Sequence, residues 1–272
     1  MRILFLGDLV GRAGRQVAID QIPRLRTKWK IDLLVVNGEN AAGGFGINED
    51  IYESLIEVGA DAVTLGNHAF DQRETLVFIE RAERLVRPAN YPPGTPGRGS
   101  VLVELHDGRH ALVMNLMGRT YMDAMDDPFA LAERELAACP LRHRADAILI
   151  DFHGEATSEK QAFGHFVDGR ASVVVGTHTH VPTADQQIFA GGTAYISDAG
   201  MCGDYDSILG MDKEEPIRRF TRKIPSGRFE PATGEATLCG LAVETDDATG
   251  LAMRISRVCI GPRLESCLPK FW

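Results

Sequence analysis

Short apolar runs, each ended by glycine or a polar residue, recur along the first half of the chain. "RILFLGD" (Arg2 to Asp8), "DLLVVNGEN" (Asp32 to Asn40) and "DAVTLGNH" (Asp61 to His68) are the first three. Their apolar positions are continuous rather than alternating, which predicts strands covered on both faces. Helical stretches follow them, at about Arg15 to Lys28, Glu49 to Val58 and Glu74 to Leu85. After the Pro- and Gly-rich loop "RPANYPPGTPGRG", "SVLVEL" and "HALVMNL" flank "HDGR", where Asp107-Gly108 signals a hairpin turn. Pro128 to Ala138 reads as a helix and "DAILIDFHGE" (Asp146 to Glu155) as a strand. Thr157 reads as the cap of a helix with Lys160 and Gln161 in its first turns. "ASVVVGTHTH" and "TAYISDAGM" are two more strands. "TLCGLAVET" and "LAMRISRV" around "DDATG" form a second hairpin.

Alternating strand and helix followed by hairpins predicts an α/β fold with mixed sheets. There is no internal repeat, low-complexity segment or clean linker. The loop near Tyr91 is the best boundary candidate but reads as a surface excursion, so a single domain over 1–272 is expected. A length of 272 residues with 44% hydrophobic content suffices for one large core or two modest domains.

Composition narrows the function classes. No apolar run reaches the roughly 18 to 20 residues of a membrane helix, and Asp8 and Arg12 interrupt the opening run where a signal peptide would stay apolar. The five cysteines (Cys139, Cys202, Cys239, Cys259 and Cys267) are odd in number, scattered and without a C-x-x-C pair. That argues against a disulfide framework or thiolate zinc site and suits a reducing cytoplasm. A net charge of −9 makes strong binding to duplex nucleic acid a poor expectation. A small phosphorylated ligand remains compatible if bound metal ions supply local positive charge. Oligomeric state is left open.

Polar residues collect where the apolar runs end. The first run ends at Asp8, the second at Glu39 and Asn40, and the third at Asn67 and His68. The run at Ile148 ends at His153, and that at Val173 at His178 and His180. Ligand sites in α/β sheets lie at the carboxyl ends of strands, so five strand ends can converge on one crevice. Singly, each has a bland account. Asp8 can cap a turn, Glu39-Asn40 can open a solvated loop, Asn67 can hold positive φ, and a lone His153 can be a hydrogen-bonded core residue. His178-Thr-His180 is harder to dismiss. In extended backbone the two side chains would point the same way, about 6.5 to 7 Å apart at Cα. They would then reach a metal pair spaced about 3.5 to 4 Å. The coincidence of five strand ends favours a shared site.

Carboxylate, amide and imidazole donors without thiolate suit catalytic iron, manganese or zinc better than structural zinc. Two divalent ions against Asp8 and Glu39 leave about two positive charges, which favours a hydroxide and a phosphate oxygen.

"GD", the Glu-Asn pair, "GNH", the lone histidine and "GTHTH" together resemble the calcineurin-like metallophosphoesterases. "GDLVGRAGR", "VVNGENAAGGFGI", "DFHGEATSEKQA", "VVGTHTHVPTAD" and "GMCGDYDSILGMDKE" resemble their YmdB-like branch, which contains bacterial 2′,3′-cyclic-nucleotide phosphodiesterases. The resemblance covers most of the chain. It implies a sandwich of two mixed β-sheets flanked by helices, and two metal ions, iron or manganese before zinc, divalent or of mixed valence. By the same likeness Glu39 bridges the ions. Asp8, Asn40 and His180 complete one site, and Asn67, His153 and His178 the other. A metal-bound hydroxide attacks a small phosphodiester such as a 2′,3′-cyclic nucleotide, and His68 protonates the leaving group. Three departures from the superfamily stand out. "GDLV" replaces "GDxH", Glu39 replaces the bridging Asp, and Ala69 follows "GNH" where an acidic residue is usual. The first two agree with the YmdB-like pattern. The third leaves open what orients His68, with Asp71 the nearest carboxylate.

Other readings fit less well. Gly7, Gly11 and Gly14 do not make a G-x-G-x-x-G turn, and no G-x-S-x-G is present. A metal-binding regulatory or RNA-associated protein with little turnover is the main alternative, but it would have no use for His68. No base-reading motif is evident. Phe45, Tyr121, Phe163 and Tyr205 are the aromatic residues weighed as base-stacking candidates.

Overall fold

Ile3, Phe5, Leu33 and Val35 project from one side of their strands, and Leu4, Leu6, Leu34 and Val36 from the other; both sets are buried. This double burial accounts for the continuous apolar runs. In the computed structural model, which describes residues 1–272, these strands belong to the larger of two mixed sheets. β1 (Arg2–Leu6), β3 (Leu33–Asn37), β4 (Ala62–Thr64) and β5 (Leu85–Val86) run parallel. β13 (Ala236–Thr245) joins β1 antiparallel and also pairs with β12 (Met201–Asp204) and β14 (Ala252–Ile260); β2 (Asp8–Leu9) lies parallel to β12. The second sheet has six strands: β10 (Gln187–Ile188), β11 (Ala194–Ile196), β9 (Val173–Thr177), β8 (Ala147–His153), β7 (His110–Met117) and β6 (Ser100–Glu104), in that order.

The sheets pack face to face. Ile3, Phe5 and Val35 of one meet Val113, Leu149 and Val175 of the other in a shared core. On the outer face of the larger sheet, α1 (Gly11–Trp29) and α2 (Glu49–Glu57) bury Ala18, Ile22, Leu25 and Leu55. On the outer face of the smaller sheet, α4 (Pro128–Ala138) and α5 (Thr157–Phe166) bury Ala132, Leu136 and Phe163. Asn48 and Asp127 cap α2 and α4 by accepting first-turn amide hydrogens. The result is the expected α/β sandwich of two mixed sheets flanked by helices. No helix is long and apolar enough to cross a membrane.

Four local expectations differ. The helix expected over Glu74 to Leu85 shrinks to α3 (Thr75–Phe78), because Leu85 and Val86 pair with Val63 and Thr64 at the sheet edge. Thr157 is the first residue of α5 rather than its cap, and Ala156 precedes it without a side-chain cap. "TAYISDAGM" splits, since β11 belongs to one sheet and β12 to the other, and the chain crosses between them at Ser197 to Gly200. A helix not anticipated, α6 (Glu214–Arg222), lies in the excursion between β12 and β13. The Pro-rich loop carries the chain from β5 in one sheet to β6 in the other. Arg87 fastens it by donating to the carbonyls of Pro88, Thr95, Pro96 and Gly97.

Candidate metal centre

All eight residues singled out from the strand ends meet at one edge of the sandwich. Asp8 opens β2, Glu39-Asn40 and Asn67-His68 sit in the turns after β3 and β4, His153 ends β8, and His178 and His180 follow β9. Both sheets therefore contribute. Glu39, His153 and His178 offer donor atoms all within 4.8 Å of one another, and so do Asp8, Glu39 and His180. Glu39 belongs to both groups. The amides complete them: Asn67 Oδ1 lies 2.8 Å from His153 Nε2, and Asn40 Oδ1 lies 3.2 Å from His180 Nε2. Gly66 permits this crowding, because a Cβ there would stand 2.2 Å from Glu39 Oε2 and 2.5 Å from His153 Nε2.

The backbone premise for the two histidines is corrected. β9 ends at Thr177, and His178 and His180 have φ of 98° and 63°, not extended values. Such φ is unfavourable for a side chain larger than Gly and persists only when its surroundings impose it. Here Asp198 imposes it, accepting from the amide and hydroxyl of Thr179 at 3.0 and 2.8 Å. Buried Lys160 spans Asp198 (3.1 Å) and the Thr177 carbonyl (2.7 Å). The two imidazoles reach the same centre by a turn rather than by strand periodicity.

Outer partners fix each ring's tautomer. The Thr177 hydroxyl donates to Asp151 (2.6 Å), so His153 Nδ1 must donate to Thr177 Oγ1 (2.9 Å), which leaves Nε2 as the atom turned inward. His180 Nδ1 donates to the Leu209 carbonyl (2.9 Å), again leaving Nε2 inward. His178 is reversed: Nε2 faces Glu155 at 3.3 Å, and Nδ1 points inward, 3.1 Å from His153 Nε2. Asn40 donates its amide hydrogen to the Gly44 carbonyl (3.0 Å) and turns its oxygen inward. Such outer hydrogen bonds orient metal-binding imidazoles. Sequence reasoning missed Asp151, Glu155, Lys160 and Asp198 in this role, although Glu155 stands beside His153 in "DFHGE".

The electrostatics fit a cation. Asp8 is 0% exposed, and its Oδ1 has no hydrogen-bond partner. Burial raises its carboxyl well above the ordinary range, with only His153 opposing. Burial alone would also raise Glu39, but the charge and hydrogen bond of His153, aided by His68, hold it down to about 2. Burial would lower His153, yet Glu39 and then Asp8 lift it to about 9. Burial and the neighbouring His153 push His178 down to about 3, and burial also lowers His180. Lone pairs this close repel unless a proton or cation lies between them. Oxygen and imidazole nitrogen donors, with no thiolate, suit a borderline divalent ion.

His68 stands beside this donor set. Its backbone N donates to Glu39 Oε2 (3.2 Å), and its ring lines a cavity of about 260 Å³ with Glu39, His178 and His180. Asp71 answers the question of orientation: its Oδ2 lies 2.8 Å from His68 Nδ1, leaving Nε2 free. Phe45 packs edge-on against the ring at 5.0 Å between centroids. Of the four aromatic candidates only Phe45 lines this cavity. Phe163 is buried on the inner face of α5, Tyr121 is 88% exposed, and Tyr205 bonds the backbone of Met201 and the Cys239 sulfur. Phe220 and Phe229, which do line it, were not anticipated.

The chain is similar to known proteins over almost its whole length. The chain is 52% identical over 260 residues to the 2′,3′-cyclic-nucleotide 2′-phosphodiesterase of Bacillus subtilis, covering 96% of this chain and 97% of that protein. A crystal structure of a hypothetical protein from Thermus thermophilus matches with a TM-score of 0.88 at 41% identity, covering 96% of this chain and 99% of the other. That of a novel phosphatase from Mycoplasma pneumoniae has a TM-score of 0.88 at 34% identity, covering 96% and 93%. The model of the YmdB-like protein family matches residues 4–258. With that match and that identity extending from β1 to β14, the chain belongs to the YmdB-like family.

Proposed function

We propose that this protein is a metal-dependent phosphodiesterase that hydrolyses 2′,3′-cyclic nucleotides at a two-ion centre. The carrying observation is that Glu39 is common to two groups of donors, each otherwise supplied by different strand ends. Asp8, Glu39, Asn40 and His180 would hold one ion, and Glu39, Asn67, His153 and His178 the other. The oxygen and nitrogen donors suit iron, manganese or zinc, and the family likeness favours iron or manganese. Bound there, the ions supply Lewis acidity, polarising a phosphoryl oxygen and acidifying water.

The chain's own residues do the rest. Asp8 and Glu39 are the only charged donors in the set, so a pair of divalent ions held there would keep about two positive charges, suited to a singly charged diester. Asp71 holds His68 by Nδ1, so Nε2 is free to give a proton to the departing ribose oxygen. Lys160 and Asp198 keep His178 and His180 turned inward. We place this site on a single domain spanning 1–272, because β13 and β14 complete the sheet that β1 opens. We assign the protein to the cytoplasm on its scattered cysteines.

Metal analysis of freshly purified protein, run beside a panel of cyclic nucleotides, other diesters and monoesters, tests the reading. Two ions per chain and faster turnover of diesters are expected. Glu39→Gln should reduce metal content to one ion or none. Dominant monoester turnover, or a Glu39→Gln protein with two ions and full activity, would overturn it.

A further inference from the structure

The cavity beside the donor set has two unlike sides. Its polar side chains are Glu39, Asn40, His68, His178 and His180, all belonging to the proposed metal and proton machinery. The rest of its lining forms a carbon wall: Leu209, Met211, Phe220 and Phe229 from the excursion between β12 and β13, with Phe45. Phe220 is 76% exposed, although an aromatic side chain gains most when buried. Its helix is held firmly. Glu215 binds Arg219 (2.7 Å) and the Ser226 hydroxyl (2.6 Å), and the Arg219 guanidinium lies 3.9 Å over the Phe229 ring. The exposed ring is thus carried on a braced support at the mouth of the site.

We infer that this wall is the seat of the nucleobase, which it grips by the face and does not read by the edge. The inference rests on the proposed function, since the phosphate on the ions places the nucleoside against the carbon wall. The cavity, at about 260 Å³, lies near the small end of ligand clefts, which hold one small molecule. Every nucleobase has a π face, so stacking on Phe220 and contact with Leu209 and Met211 tolerate all four. Discrimination would need a donor or acceptor aimed at the base edge. No polar side chain on that wall supplies one, and the Leu209 carbonyl is already bonded to His180. The protein should therefore require a base for tight binding while accepting any of the four.

The test compares wild type, Phe220→Ala and Phe220→Tyr on the four 2′,3′-cyclic nucleotides and on glycerol 1,2-cyclic phosphate, which lacks a base. Equilibrium dialysis of adenosine 3′-monophosphate gives a second readout, independent of turnover. Phe220→Ala should raise KM for every cyclic nucleotide about tenfold, within the range of one base–aromatic stack, with kcat nearly unchanged. It should weaken dialysis binding in parallel and leave glycerol 1,2-cyclic phosphate unaffected, and Phe220→Tyr should restore both. Should wild type cleave none of these diesters, the proposed function falls and this inference with it. Should wild type cleave them while Phe220→Ala shifts both substrate types equally or neither, only the base seat is overturned. A preference of wild type for one base beyond about tenfold in kcat/KM would also overturn it.

Discussion

His68 and its neighbour Asn67 stand side by side, yet the site uses them differently. Asn67 turns its oxygen to His153, whereas His68 turns its ring to Asp71 and the cavity. An alkoxide leaves poorly without a proton, and a positioned acid is worth roughly 10² to 10⁴ in rate. His68→Ala should therefore keep its metals and bind substrate while losing that factor on ribose leaving groups. With p-nitrophenolate, which departs unaided, the loss should be much smaller. Equal losses on both, or loss of metal, would make His68 a ligand or a structural group. Asp71→Asn should cost about tenfold in kcat on ribose leaving groups with KM unchanged, as loss of an outer carboxylate behind a working imidazole does. A variant with wild-type kcat would sink the orienting role.

Elements differ in how far a sequence betrays them. The strand ends were legible because a donor directly after a buried apolar run is a local signal, and "GNH", "DFHGE" and "GTHTH" each place one there. The backbone at His178 and His180 was not legible, because its turn is imposed by Asp198 from the crossing between β11 and β12. α6 was hidden for another reason. Its Ile217 and Phe220 lie among Arg218, Arg219 and Arg222, so too few apolar positions mark a buried helical face. The Lys160–Asp198 strut is testable at this scale. Removing one member of a buried ion pair costs about 3 to 5 kcal/mol, and the Thr179 and Gly200 donors left on Asp198 keep the cost near the lower end. Lys160→Met should lower Tm by roughly 6 to 12 °C and weaken metal binding. Unchanged Tm and metal affinity would show that the turn holds without Lys160.

Over the whole molecule, the donors bridge the two sheets: Asp8, Glu39, Asn40 and Asn67 come from the larger one, and His153, His178 and His180 from the smaller. Ions held there would clamp the sandwich at one edge, and a ligand that binds only the folded state stabilises it by about 2.7 kcal/mol at a hundred times its Kd. Chelation should therefore lower Tm, and restored manganese or iron should raise it with concentration. Asp8 gives the sharper test because it acts in opposite directions in the two states. Its buried Oδ1 has no donor, and its raised pKa means that the ionised form costs folding free energy at neutral pH. Asp8→Asn removes that charge and keeps the shape. The metal-free variant should be at least as stable as metal-free wild type, whereas with metal the order should reverse because a charged ligand is gone. Thermal unfolding of both proteins, with chelator and with saturating manganese, reads the crossover directly. If Asp8→Asn is the less stable protein under chelation as well, the Asp8 carboxylate is serving the fold, and its lone oxygen is not there for an ion.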